Sequence, residues 1–250
     1  MIDSITGLPN RQSTMREDVT IAGNLTVTGV FSNNTSAASA YSLQTAESFA
    51  LLTASAITVT TPQIVNGNVG EDTLTGVIVF SNGQNFNPAP AQAIADANTL
   101  YNELTGLTPT TLFVAGADVA LDTVNVGFGT GVFTPGVYVA SATTGQYGTT
   151  SAGGTITLNG AGDYVFVFAT AGAYITFGAG TNIALTNGAT AGRVFWVISG
   201  ALTTGANTAF KGTSISVAAA TTGAGAYVSG KLISLTAAIT IGAGSTVAIA

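Results

Sequence analysis

Short apolar runs, each closed by glycine or asparagine, dominate the chain. Three of them share one pattern: Ile175-Thr-Phe-Gly-Ala179, Leu202-Thr-Thr-Gly-Ala206 and Ile239-Thr-Ile-Gly-Ala243. Related pieces are Ile156-Thr-Leu158, Tyr164-Val-Phe-Val-Phe168, Val194-Phe-Trp-Val197, Ile215-Ser-Val217 and Ile233-Ser-Leu235. Runs this short cannot stand as isolated strands. Stacked at about 4.8 Å per coil, they share one ladder and one interior column of Val, Ile, Leu and Phe. Quasi-periodic repetition with unequal spacing predicts a β-solenoid. A β-sandwich would show longer and more evenly spaced strands.

The N-terminal part differs. Asp18-Val-Thr-Ile-Ala-Gly-Asn-Leu-Thr-Val-Thr-Gly-Val30 alternates, with Val19, Ile21, Leu25 and Val27 on one face and a turn at Ala22-Gly23-Asn24. It reads as a short hairpin or as first solenoid rungs. Residues 1–18 form an irregular polar leader, and 32–42 have the small polar composition of a linker. The expected organisation is residues 1–42 as leader and anchor, then a domain over 43–250.

One segment is helical. Pro88-Ala-Pro-Ala-Gln-Ala-Ile-Ala-Asp-Ala-Asn-Thr-Leu-Tyr-Asn-Glu-Leu104 is alanine-rich, begins with prolines suited to a first turn, and is closed by Gly106 and Pro109. Ile94, Ala97, Tyr101 and Leu104 predict one apolar stripe, to be buried against a larger surface.

Composition narrows the function. With no Cys and no His, the chain lacks disulfides, thiol nucleophiles and the commonest metal ligand. Only 6% of residues are charged, against about 25% in an ordinary domain. A net charge of −6 with five basic residues is the wrong footprint for nucleic acid or an anionic membrane. Gly, Asn, Thr or Pro interrupts every long uncharged stretch, so no helical membrane insertion is expected. Met1–Asn10 shows neither a basic nor an apolar region and does not read as a signal peptide.

From about Leu43 to Ala250 the chain resembles the ice-binding-protein-like family. The resemblance rests on Ala46-Glu-Ser-Phe-Ala-Leu-Leu-Thr-Ala-Ser-Ala-Ile-Thr-Val59, on Val65-Asn-Gly-Asn-Val-Gly70 and on the helix from Ala91 to Leu104 with Thr108-Pro109 after it. Phe133-Thr-Pro-Gly-Val-Tyr138, Asp163–Phe168, Asn187–Val197 and Phe210–Ile215 follow in family order. The resemblance implies all-β architecture with one long helix: a right-handed β-helix of roughly triangular section, with an α-helix packed along one side. The stretch Asp18–Gly29 is similar to stalk elements of viral fibre and capsid-associated proteins.

Candidate chemistry is sparse. Glu71-Asp72 reads as a solvated turn, and Asp118 and Asp122 have no accompanying base. Gly127-Phe-Gly-Thr-Gly131 lacks the Lys and the following helix of a phosphate loop. Trp196 and Tyr164 read as core. Asp163, Arg193, Lys211 and Lys231 read as solvated corner groups, pairing between coils for little energy. Neither catalysis nor a cofactor or metal is expected.

Threonine is the remaining signal. Thr176, Thr203 and Thr240 hold one place in the three related runs, where alternation turns their hydroxyls outward. Such an array would order water and dock on ice; alternatively, β-propensity alone tiles an exposed face with Thr. The resemblance implies a Thr-(Ala/Gly)-x-(Thr/Asn) motif on an ice face, which Thr204-Gly-Ala-Asn207 fits as a single copy without a ladder. The candidate face is therefore Thr176, Thr203, Thr204, Asn207 and Thr240.

Three functions fit. The first is a non-enzymatic structural or adhesion module on the surface of an assembly such as a virion, joined to protein subunits through residues 1–42 and open to homo-oligomerisation. The second is a soluble ice-binding protein acting outside the cell without a cleavable signal. The third is a glycan-binding adhesin, which would show a cleft flanked by exposed aromatics.

Overall fold

Two kinds of strand build the protein. Phe49–Thr53, Tyr164–Phe168 and Val194–Ile198 are buried at every position. Strands covered on both sides read as continuous apolar runs. Leu202–Thr204, Ala220–Thr222 and Ile239–Ile241 expose their middle residue and bury the other two. That is the signature of a sheet with one side left open.

The computed structural model describes residues 39–113, 119–140, 146–149 and 152–250. The leader, the alternating segment 18–30, most of the linker and Asp118 lie outside the described residues. Within Ser36–Ala250, three strands per turn wind into a three-faced β-solenoid. In one coil, Val194–Ile198 lies on a covered face, Leu202–Thr204 on an open face and Ala209–Lys211 on a third face. The strand Ala209–Ser216 then passes the corner at Gly212 and becomes the covered-face strand of the next coil. Tyr227–Ser234 does the same at Gly230, pairing with it in parallel along its whole length.

Stacking order departs from chain order. The coil of Phe49–Thr53, Ala56–Val59 and Gln63–Asn66 stacks on the last coil, pairing Leu51 with Leu232, Ile57 with Ile239 and Ile64 with Thr246. Asn68–Gly70 stacks next, and a last coil of Thr73–Thr75, Ile78–Asn82 and Asn85–Phe86 ends the described solenoid on that side. The helix, α1 (Ala91–Thr105), then carries the chain back along the covered face. Winding resumes at Thr111–Phe113 and proceeds coil by coil to Thr246–Ala248.

The helix buries Ala93, Ala97, Leu100 and Leu104. The predicted stripe was rotated: Ile94 and Tyr101 sit at its flanks, only partly buried. Small Ala93 and Ala97 let the helix approach the outward side chains of the covered face, among them Val165, Val167, Phe195, Val197 and Ile215. Residues 39–43 belong to the same packing. Tyr41 meets Phe195 edge-on at 5.6 Å, and Leu43 is fully buried.

Inside the solenoid an aromatic column runs through Phe133, Tyr138, Phe166 and Trp196. Phe166 and Trp196 stack at 4.4 Å with planes 9° apart. The Trp196 indole N–H donates to the Lys211 carbonyl at 2.9 Å. Beyond Trp196 the interior turns to small residues, Ser214, Ser216, Ala220 and Thr222, so a large ring in one coil lies over small side chains in the next. Trp196 and Tyr164 are core, as expected.

Two charged groups depart from the expected solvated setting. Glu71 is fully buried and accepts from the Asn85 and Asn87 side-chain amides at 2.9 and 3.1 Å. Exposed Asp72 accepts from the Ala89 N–H at 3.3 Å, so the pair clips the turn that leads into the helix. Lys231 is also buried and pairs with Glu47, pinning the segment before Phe49 to the coil stack. Asp163 and Arg193 do pair between coils, at 2.9 Å. Burial pushes the Asp163 carboxyl up, but hydrogen bonds from Arg193, the Ala40 N–H and Ser39 prevail and hold it below the usual carboxylate range.

Candidate functional site: an open threonine face

Register converts scattered threonines into a ladder. On the open face Thr75 pairs with Thr58, Thr58 with Thr240, Thr240 with Thr221, Thr221 with Thr203 and Thr203 with Thr176. Gly148 and then Ala120 continue the column toward the far end. On either side of Thr58, Thr240, Thr203 and Thr176 the neighbouring residues point inward and are buried, as are Ala220 and Thr222 around Thr221. The six threonine side chains therefore point outward. At about 4.8 Å per rung the ladder is roughly 24 Å long.

Columns on either side are equally regular. Two residues before the central threonine stand Ala56, Ala238, Ala219 and Ala201, with Thr73 at the Thr75 end and Tyr174 at the Thr176 end, and exposed Val77 stands two residues after Thr75. Two residues after stand Thr60, Gly242, Gly223, Gly205 and Gly178. In the rungs of Thr240, Thr221 and Thr203 the unit is Ala-x-Thr-x-Gly, with outward residues small and x filling the core. At Gly205, Gly223 and Gly242 the coils stack too tightly for a side chain. A Cβ on Gly223 would lie 2.5 Å from the Gly205 carbonyl carbon, and one on Gly242 2.5 Å from that of Gly223.

Hydroxyls at both corners hold this face in place. At the corner before it, the stacked Thr53, Ser234 and Ser216 are fully buried. Thr53 and Ser234 donate to the Ala237 carbonyl at 2.6 and 2.7 Å, and Ser216 donates to Ala218 at 2.9 Å. At the corner after it, Thr181 donates to Gly178 at 2.7 Å, Thr208 to Gly205 at 2.8 Å and Ser245 to Gly223 at 2.9 Å. The six outward threonine hydroxyls, in contrast, have no protein partner among the described residues. Corner hydroxyls are occupied by carbonyls, while ladder hydroxyls are left to solvent.

No charged side chain stands on these open-face strands. Nothing there donates or takes a proton near neutral pH. What the face offers is a regular array of hydroxyls and methyls, with partly exposed backbone along the glycine column.

Of the residues singled out in the sequence, Thr176, Thr203 and Thr240 stand on the ladder. Thr204 does not: it is 1% exposed and points into the core, paired with Phe177 and Thr222. Alternation decides this, since its neighbour Thr203 takes the outward place. Asn207 is exposed at the corner with φ +56°, where adjacent coils carry Gly180 and Gly225 in the same left-handed conformation. Asn is the side chain that best tolerates that region, so backbone geometry explains it. Sequence reading missed Thr221, Thr58 and Thr75, and with them the ladder. Ala220 replaces the bulky apolar residue before Thr221, and Ala56-Ile-Thr-Val-Thr60 lacks the glycine. The five-residue spacing of Ala219-Ala-Thr-Thr-Gly223 was the available signal.

The fold is thus a helix-backed β-solenoid with one sheet left bare among the described residues. The chain belongs to the Ice-binding-like family, whose sequence profile matches residues 14–247. Among solved structures it is similar to an ice-binding protein from the Antarctic ascomycete Antarctomyces psychrotrophicus. Identity is 26% and TM-score 0.69, over 84% of this chain and 98% of that one. It is likewise similar to the ice-binding protein 1 domain of Shewanella frigidimarina, at 26% identity and TM-score 0.66 over 84% and 97%. An ice-binding protein from an Antarctic biological consortium, at 22% identity and TM-score 0.67 over 83% and 90%, shares the fold. No curated protein matches the chain.

Proposed function

We propose that this protein binds ice through its open face and restrains crystal growth and recrystallisation, acting by surface adsorption and not by catalysis. The observation that carries this reading is the in-register ladder of Thr75, Thr58, Thr240, Thr221, Thr203 and Thr176, with hydroxyls free of protein partners. Each rung adds one hydroxyl and one methyl at fixed spacing. A rigid array loses little conformational freedom when it docks, so small increments accumulate. Relatives at 26% identity described as ice-binding proteins support the same reading.

The open face argues against the glycan alternative. Its central strip is flat and carries no aromatic ring, with Tyr174 only at one margin. The assembly-surface alternative drew on residues 1–42, of which 1–38 lie outside the described residues. Nothing on the described surface favours it over ice. Thermal hysteresis and recrystallisation assays on the purified chain test the proposal. Activity that Thr203→Tyr abolishes, with the fold intact by circular dichroism, supports it. Absence of activity at high concentration ends it.

A further inference from the structure

The two ends of the solenoid are finished differently. At one end the stretch 121–131 closes over the core, with Leu121 buried and Val124 and Val126 packed against the interior. At the other end the last coil consists of Thr73–Thr75, Ile78–Asn82 and Asn85–Phe86, and among the described residues each strand pairs on one side only. Its inward residues Leu74, Ile78 and Phe80 are only partly covered. Its outward residues Val77 and Val79 are 55% and 49% exposed, beside Ile64 at 51%.

Natural sheets blunt such edges with Lys, Pro or a covering element, and solenoids carry polar end caps. From Thr73 to Phe86 there is no charged residue and no proline. A register shift at Ser81 leaves Ile78–Phe80 as the regular stretch. The neighbouring charges are both engaged: Glu71 is buried against the Asn85 and Asn87 amides, and Asp72 accepts from the Ala89 N–H.

We propose that this end is a self-association surface, at which a second copy of the chain pairs edge to edge through Ile78–Phe80. The free N–H and C=O groups of a strand edge are matched in spacing and direction by another strand edge. Across a twofold axis the same segment runs antiparallel to itself, so one uncharged surface satisfies both partners. Charge favours this contact over others between copies. The chain carries a net −6, and this coil contributes no like charges to oppose one another. Pairing would cover Val79 and finish the layer of Leu74, Ile78 and Phe80 on both molecules. The inference is independent of the ice-binding reading.

Sedimentation velocity and light scattering on the full chain, across a wide concentration series, test it. The expected result is a reversible dimer of twice 24.7 kDa. Val79→Lys sets like charges against each other across the axis and should weaken dimerisation roughly tenfold or more. Val77→Asp, at another exposed position of the same coil, serves should Val79→Lys fail to fold. Phe128→Lys, exposed at the closed end, should leave the dimer unchanged. A monomer at every concentration overturns the proposal. So does a dimer that both open-end variants leave intact, or one that Phe128→Lys dissolves.

Discussion

The covered and open faces share one backbone, and their inward residues are alike: Phe166, Trp196 and Leu232 on one, Ile175, Leu202 and Ile239 on the other. They part company in the outward column. On the covered face it is Val165, Val167, Phe195, Val197, Ile215 and Ile233, and a helix lies on it. On the open face it is threonine flanked by alanine and glycine, and nothing in the described protein lies on it. One sheet is dressed to meet protein and the other to meet solvent. If the proposed ice-binding reading holds, the outward column separates stability from ice binding, and mutations should sort accordingly.

The largest effect is expected beneath the helix. Phe195→Ala empties a site that is 3% exposed and should cost about 3–5 kcal/mol in denaturant unfolding. Ice activity per folded molecule should be preserved. Next comes the glycine column: Gly223→Ala forces a methyl against the Gly205 backbone and should cost about 1–3 kcal/mol. Because it also spreads two rungs of the open face, activity should fall with stability. A smaller effect on stability, within about 0.5 kcal/mol, is expected for Thr221→Val, which exchanges an exposed hydroxyl for a methyl. Its hysteresis measures how much of the rung's effect belongs to the hydroxyl and how much to the methyl.

pH should move the two faces least, and differently. Thr45 and Gln92 hold the exposed Asp96 carboxyl below the usual range, as hydrogen bonds do for Asp163. A lowered carboxyl pKa contributes stability that is full above its unfolded value of about 4 and is lost as pH falls through the folded value. Burial, and then the neighbouring Tyr138, push the Tyr164 phenol up to about 12. Its contribution is full below about pH 10 and is lost as pH rises through the folded value. Melting temperature should therefore be flat from about pH 5 to 9 and fall on both sides. Ice activity should follow the folded fraction alone, since the open-face strands carry no charged group.

Much of this arrangement was legible in the residues. Val194-Phe-Trp-Val-Ile198 announces a strand covered on both sides, and Leu202-Thr-Thr204 one that is open on one side. The coil architecture and the long helix follow from such pieces. The helix stripe was misjudged because sequence periodicity weighs bulk, whereas close packing on a wide sheet selected Ala93 and Ala97. Glu71 was misjudged because its partners Asn85 and Asn87 arrive from the next strand of the fold. The return of residues 49–82 onto the final coil was not legible at all. Local pattern specifies a rung, but which rungs stack is decided by interior matching between segments such as Leu51 and Leu232. The same gap hid the ladder: Thr58 and Thr240 are far apart in sequence and adjacent only after that return.

The proposed function requires that ice meet the open face and no other. Its most direct test is thermal hysteresis of the wild-type chain beside Thr221→Tyr, in mid-ladder, and Thr157→Tyr, pointing outward on the third face between buried Ile156 and Leu158. Thr221→Tyr should lose most of the activity at an unchanged melting temperature, while Thr157→Tyr retains it. Equal activity in all three, or loss confined to Thr157→Tyr, would contradict the proposal.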